Sequence, residues 1–196
     1  MIESRKDYQY YLNQDALALG INNTNIRSRL DNLIKVNYIF KFQKKLRRIE
    51  YYKNCKTDKF SKIRYVVMKF RFVKLSRKLG FSIPENVFGP GLAIVHYGTI
   101  VVNSKAKIGA NCRLHPSTCI GASGGSSKAP LIGDNVYIGP GAKIFGPIKI
   151  GDFTAIGANA VVNKSFPKGS CTIAGVPAKV ISDNTSSKYI SLGESK

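Results

Sequence analysis

The chain has 196 residues and carries 31 Lys plus Arg against 11 Asp plus Glu, a formal net charge of +20. That length fits one or two compact domains, and a 43% apolar fraction supports a packed core and excludes wholesale disorder. The apolar runs are only a few residues long, as at Val66-Val67-Met68, which excludes a transmembrane helix; the charged start Met1–Asp7 has no apolar stretch behind it and does not read as a secretory signal.

Four cysteines (Cys55, Cys112, Cys119, Cys171) form no C-x-x-C pair and read as free thiols of a cytoplasmic protein. All 8 prolines and 16 of the 18 glycines lie after position 80. Residues 1–80 hold 20 Lys and Arg against 6 acids, a net +14, and 12 of the 20 Tyr and Phe. Residues 81–196 hold 11 against 5, a net +6. The composition predicts a basic α-helical domain over 1–80, a second domain over 81–182 and a flexible tail over 183–196.

In the first part, Ser4 followed by Asp7 predicts a capped helix with Tyr8, Tyr11, Leu12, Asp15 and Leu19 in its pattern, stopping at Gly20. A second helix is expected after Asn22–Asn25, with the stripe Leu30, Ile34, Tyr38, Phe42, Leu46, Ile49 at spacings of four and three. A third begins near Asp58 and ends at Gly80. Phe60, Ile63, Val67 and Phe70 form one stripe, Met68, Phe72, Leu75 and Leu79 another, and basic residues fill the rest.

After position 100 the chain repeats every six residues. The aliphatic series is Val102, Ile108, Leu114, Ile120, then Ile132, Ile138, Ile144, Ile150, Ile156 and Val162. Four residues after each stands a smaller or apolar residue: Ala106, Cys112, Thr118, Val136, Ala142, Ile148, Thr154, Ala160. Neither a helix, of period 3.6, nor an amphipathic strand, of period 2, repeats at six. A chain wound in short flat strands with a corner every six residues does, at about 18 residues per coil and about 4.8 Å between coils. Ile120 and Ile132 are twelve apart where six would keep register, so the small, flexible segment 122–131 leaves the wall as a loop.

Three segments carry a resemblance: Gly91-Leu92-Ala93-Ile94-Val95-His96-Tyr97-Gly98-Thr99-Ile100-Val101-Val102, the loop start Ile120–Gly125 with Ile138-Gly139-Pro140-Gly141-Ala142-Lys143-Ile144, and the closing Ala174-Gly175-Val176-Pro177-Ala178-Lys179-Val180-Ile181. Over residues 88–182 the chain resembles the hexapeptide-repeat acyltransferases, in the branch of serine acetyltransferases and of enzymes that O-acetylate bacterial surface sugars. The resemblance implies an all-β left-handed parallel β-helix after the helical domain; connection rules alone favour the opposite hand. It implies a homotrimer binding acetyl-CoA as co-substrate between adjacent β-helices, with no metal. His96 matches the histidine that acts as general base on the acceptor hydroxyl, a role suited to an imidazole near neutral pH. Backbone N–H groups near Ala122 and Ser123 match an oxyanion site. Ser123, Gly139, Pro140 and Ala158 match coenzyme A contacts, with Lys164 and Lys179 set to meet phosphates. His115, one coil on from His96, is either a second polar group for the acceptor or an ordinary corner residue.

The chain also departs from the serine-specific pattern. Val95 stands where that branch has an Asp, Phe81 where it has the Asp that orients the histidine, and Lys128-Ala129 where it has Arg-His. Glu85 or a backbone carbonyl is then left to orient His96. On these departures the expected reaction is acetyl transfer to a sugar hydroxyl of a bacterial surface polysaccharide or its precursor. Serine O-acetylation for cysteine synthesis is the alternative, and a non-catalytic membrane- or nucleic-acid-binding module the second. Two histidines cannot supply a three-histidine metal site. The helical domain is expected to cap the β-helix, with contact to an anionic inner-membrane surface as an addition; nucleic acid is the weakest partner.

Overall fold

The computed structural model describes residues 1–21, 37–125 and 127–190. Helix α1 (Arg5–Ala18) starts on a reciprocal pair of bonds: Ser4 Oγ accepts from Asp7 N at 3.0 Å and Asp7 Oδ2 from Glu3 N at 3.1 Å. Helix α2 (Tyr38–Cys55) is capped by Asn37, whose Oδ1 accepts from Phe40 N at 2.9 Å. The start expected after Asn25, with Leu30 and Ile34, lies outside the described residues. Helix α3 (Lys59–Leu79) is capped by Asp58 and ends at Gly80, whose φ of +78° suits glycine. A Cβ there would also approach the Gly98 carbonyl at 3.2 Å.

Short strands then wind around three faces. One face carries β1 (Phe81–Ser82), β3 (Ile100–Val102), β6 (Thr118–Gly121), β9 (Lys143–Phe145) and β12 (Val161–Val162). The second carries β4 (Lys107–Ile108), β7 (Leu131–Ile132) and β10 (Lys149–Ile150). The third carries β2 (Ala93–Ile94), β5 (Arg113–Leu114), β8 (Tyr137–Ile138), β11 (Ala155–Ile156), β13 (Thr172–Ala174) and β14 (Lys179–Ser182). All pair in parallel except β13 with β14, which closes the far end as an antiparallel pair. Tyr137 pairs with Ala155 and Lys143 with Val161, eighteen residues apart, whereas Cys119 pairs with Lys143, twenty-four apart. The six extra residues leave in the loop expected over 122–131, which ends one residue earlier because Leu131 already pairs in β7. Each aliphatic residue of the six-residue series is at most 5% exposed, and the eight second positions named above, from Ala106 to Ala160, are at most 6% exposed.

The helices share this core. Phe42 of α2 stacks on Phe72 of α3 at 5.0 Å and meets Phe81 of β1 edge-on at 5.1 Å. Position 80 is therefore a change of secondary structure within one continuous core. Segment 183–190 also departs from the expected flexible tail. Ser186 is buried, its N donates to Phe153 O at 3.1 Å and its Oγ donates to Asn135 O. Residues 191–196 lie outside the described residues. No described helix is long and apolar enough to cross a membrane.

A fully buried polar cluster joins helices to coils. Arg47 Nε donates to Asp15 Oδ2 at 2.8 Å and Nη2 to Asp15 Oδ1 at 3.1 Å; Nη1 donates to Glu50 at 3.1 Å and to Phe88 O at 2.9 Å, and Nη2 to Gly89 O at 2.6 Å. Asp15 Oδ1 accepts from Gly91 N and Leu92 N, both at 2.9 Å, and Gln43 donates to Leu92 O. Burial acts to lower Arg47, but the Asp15 and Glu50 carboxylates outweigh it and hold the guanidinium above its ordinary value. Burial also raises Glu50, against the pull of Arg47. Replacing Arg47 with Ala leaves buried carboxylates and carbonyls unpaired. It should cost about 3–5 kcal/mol of unfolding free energy, read from the denaturant midpoint.

Candidate active site

His96 stands on the corner between β2 and β3, two residues after the inward Ile94, and is exposed. The corner is held from below: Val95 N donates to Leu114 O at 3.1 Å, and Gly98, at φ +135°, lies so close to the next coil that a Cβ would meet Pro116 Cβ at 2.9 Å. His115 occupies the same corner one coil on. Its N donates to Ile138 O at 3.2 Å, and Thr118 Oγ1 donates to its carbonyl at 2.8 Å. The His96 and His115 rings are 6.4 Å apart and inclined at 61°.

An aromatic wall continues from there. Tyr137 of β8 lies 5.1 Å from His115, and Tyr189 lies 4.7 Å from Tyr137. His115 Nε2 is buried and has no hydrogen-bond partner among the described residues. Burial, then the neighbouring Arg113 charge, then His96 push the His115 pKa below the ordinary histidine value. The corner therefore presents an exposed imidazole beside a half-buried one with an unused ring nitrogen.

The residues expected at the site fall into two groups. Gly139, Pro140 and Ala158 follow β8 and β11 on the corner that carries His96 and His115. There Gly139 is packed so tightly that a Cβ would meet Ile156 O at 2.8 Å and Ala158 N at 2.9 Å. Ala122, Ser123 and Lys164 follow β6 and β12 on the next corner round, and Lys179 opens β14. Lys164 Nζ sits over the Phe166 ring at 5.6 Å. Within one chain the loop start and His96 are thus on different corners.

Glu85 does not orient His96. It follows β1 on the loop corner, where it accepts from Tyr65 Oη at 3.1 Å and forms an ion pair with Lys69. Burial acts to raise Glu85, but the Lys69 hydrogen bond, a backbone hydrogen bond and the Lys69 and Lys53 charges together outweigh it and hold the carboxyl below its ordinary value. The residues that sequence reasoning missed are Arg113, Tyr137 and Tyr189. The first two occupy the outward position just before an inward aliphatic residue, Leu114 and Ile138, so the six-residue count could have exposed them. Tyr189 carries no such signal. Lys105, Lys128 and Lys149 were also missed; they line a cavity of about 520 Å³ that includes Ser127 and Ala129 of the loop.

The coils and their corners define a hexapeptide-repeat transferase. Residues 129–164 match the family described as bacterial transferase hexapeptide (six repeats). The chain is 42% identical over 100 residues to a serine acetyltransferase of Mycobacterium tuberculosis, covering 50% of this chain and 43% of that one. It is 34% identical over 131 residues to a serine acetyltransferase of Helicobacter pylori strain J99, covering 61% of this chain and 76% of that one. Among solved structures, serine acetyltransferase of Neisseria gonorrhoeae superposes with a TM-score of 0.72 at 24% identity, over 98% of this chain and 73% of that one. The Brucella abortus enzyme in complex with coenzyme A gives 0.68 at 26%, over 92% and 70%. These neighbours agree with the left hand of the β-helix. On the Helicobacter match the chain belongs to the serine acetyltransferase family. It spans less than half the length of the Mycobacterium relative and of a Synechococcus elongatus one. These relatives overturn the sugar-acetylating expectation: each is a serine acetyltransferase, and the capsule branch finds no support among them.

Because the chain has two histidines, proton NMR can follow each imidazole separately. His115 should titrate below the ordinary histidine value, so that on acidification it charges late. Replacing Tyr189 with Ala uncovers the aromatic wall beside His115 and should move that midpoint upward. An unmoved His115 midpoint would show that Tyr189 does not shield it.

Proposed function

We propose that this protein is an acetyl-CoA-dependent O-acetyltransferase whose acceptor is serine. The observation that carries the reading is the stacked corner, with an exposed His96 beside a half-buried His115 whose Nε2 is unpartnered among the described residues, in a chain whose relatives are serine acetyltransferases. His96 takes the proton of the serine hydroxyl as its oxygen attacks the thioester carbonyl carbon. Backbone N–H groups of the Ala122–Ser123 loop receive the oxyanion. As the carbon–sulfur bond breaks, His96 returns the proton to the departing thiolate, so the products are O-acetylserine and free coenzyme A.

His96 and the loop start lie on different corners of one chain, so the site is completed between copies. A threefold assembly sets the loop of one protomer against His96 of the next. The co-substrate is supported by chemistry already described: Gly139, Pro140 and Ala158 form a wall of small residues for the pantetheine arm, and Lys105, Lys128 and Lys149 are suited to its phosphates. Arg113, whose charge acts on both His115 and Tyr137, is the group we assign to the serine carboxylate.

With free serine and acetyl-CoA, thiol release should be catalysed, and His96→Ala should lower kcat by about 10²–10⁴-fold. Arg113→Gln should raise the KM for serine with a smaller effect on kcat. A fall in kcat alone would remove Arg113 from carboxylate binding, and no serine-dependent thiol release would overturn the acceptor.

A further inference from the structure

Helix α3 is apolar on two opposite sides. One side, with Phe72, Ser76 and Leu79, is buried against the rest of the protein. The other carries Phe60 and Phe70, 81% and 72% exposed, with Ile63, Val66 and Val67 between them, 63%, 64% and 48% exposed. At 100° per residue these five fall within about a 120° arc, one continuous stripe on the solvent side. Within the described residues nothing covers it. A single exposed Phe needs no explanation, but five contiguous apolar side chains on one helix face mark a contact surface.

The charge around the stripe says what kind. Helix α3 holds eight Lys and Arg and no acid. Arg64, Arg71 and Lys78 border the stripe on one edge, Lys62 borders the other, and Lys59, Lys74 and Arg77 continue its line beyond its two ends. Helix α2 adds Lys41, Lys45 and Arg48. Burial lowers the Lys45 pKa, and Lys41, Arg71 and Arg48 lower it further, so the two helices hold a cluster of cations in mutual repulsion. A second copy of the same surface would add to that repulsion. Nucleic acid would meet the cations and the Phe60 and Phe70 rings, but it leaves the aliphatic Ile63, Val66 and Val67 between them in water. Acyl chains beneath anionic headgroups answer both features: the stripe enters the headgroup boundary and the flanking cations meet phosphate. We propose that α3 lies in the surface of an anionic phospholipid bilayer and docks the enzyme there peripherally. The helix is about 32 Å long, at 1.5 Å per residue, and so presents the whole stripe lengthwise.

The test is co-sedimentation of the full chain with vesicles of phosphatidylcholine alone and of phosphatidylcholine mixed with phosphatidylglycerol, at low and high salt. Binding to the anionic vesicles should exceed binding to the neutral ones by about tenfold or more and should weaken with salt. Phe60→Ser/Phe70→Ser should lose about tenfold or more of the remaining affinity, with unchanged circular dichroism and acetyl-transfer activity. Ile63→Asn/Val67→Asn, on the same stripe, gives an independent second variant. Equal binding to both vesicle types would overturn the proposal, as would stripe variants that sediment like the parent. So would a chain that ignores vesicles while the variants lower its mass in solution, or while they abolish its binding to duplex DNA.

Discussion

The structure depends on how the first coil ends. A parallel β-helix exposes a row of backbone donors and acceptors at each end, and an uncovered row is a template for further strands. Here Phe88 O, Gly89 O, Gly91 N, Leu92 N and Leu92 O have no preceding coil to pair with, and side chains of α1 and α2 supply their partners. Arg47 is suited to this because its planar fork reaches two carbonyls and two carboxylates at once. Its charge tolerates burial only because Asp15 and Glu50 are buried with it. The cluster thus stops the solenoid, ties the helices to it and gives α1 a fixed place.

The same cluster bears on the catalytic corner. Leu92, held at both its N–H and its carbonyl, lies one residue before β2 and four before His96. Below, β2 pairs with β5, and Gly98 packs on Pro116. His96 therefore projects from a corner fixed on both sides, although among the described residues no carboxylate bonds to its ring. Preorganisation of this kind lies in the backbone and the coil stacking, which is why the side chain can remain exposed and available to an acceptor.

Much of this was legible in the residues. The six-residue recurrence from Val102 to Val162 foretold the inward set, since only one winding buries every sixth side chain. The doubled interval between Ile120 and Ile132 foretold the loop. The caps at Ser4 and Asp58 and the stop at Gly80 followed from local chemistry. What pairs across long sequence separation was not legible. Nothing near Asp15 points to Gly91, and nothing near Glu85 points to Tyr65 and Lys69, because those partners are chosen by packing of helices on coils. Tyr189 was hidden by the polar, Ser-rich composition of 183–188, which resembles a tail until Ser186 is seen bonded to Asn135 and Phe153.

The acceptor shows where a position-by-position reading fails. Val95, Phe81 and Ala129 lack the charges of the serine-specific pattern, and from that absence a neutral acceptor seemed to follow. A β-helix corner, however, stacks residues of successive coils about 4.8 Å apart, so a charge missing at one position can be supplied from the coil below. Arg113 stands one coil on from Ala93, in direct register with it. In the proposed reaction that register is what matters: the carboxylate of serine needs a cation within reach of His96, and it need not stand at the same place in the sequence.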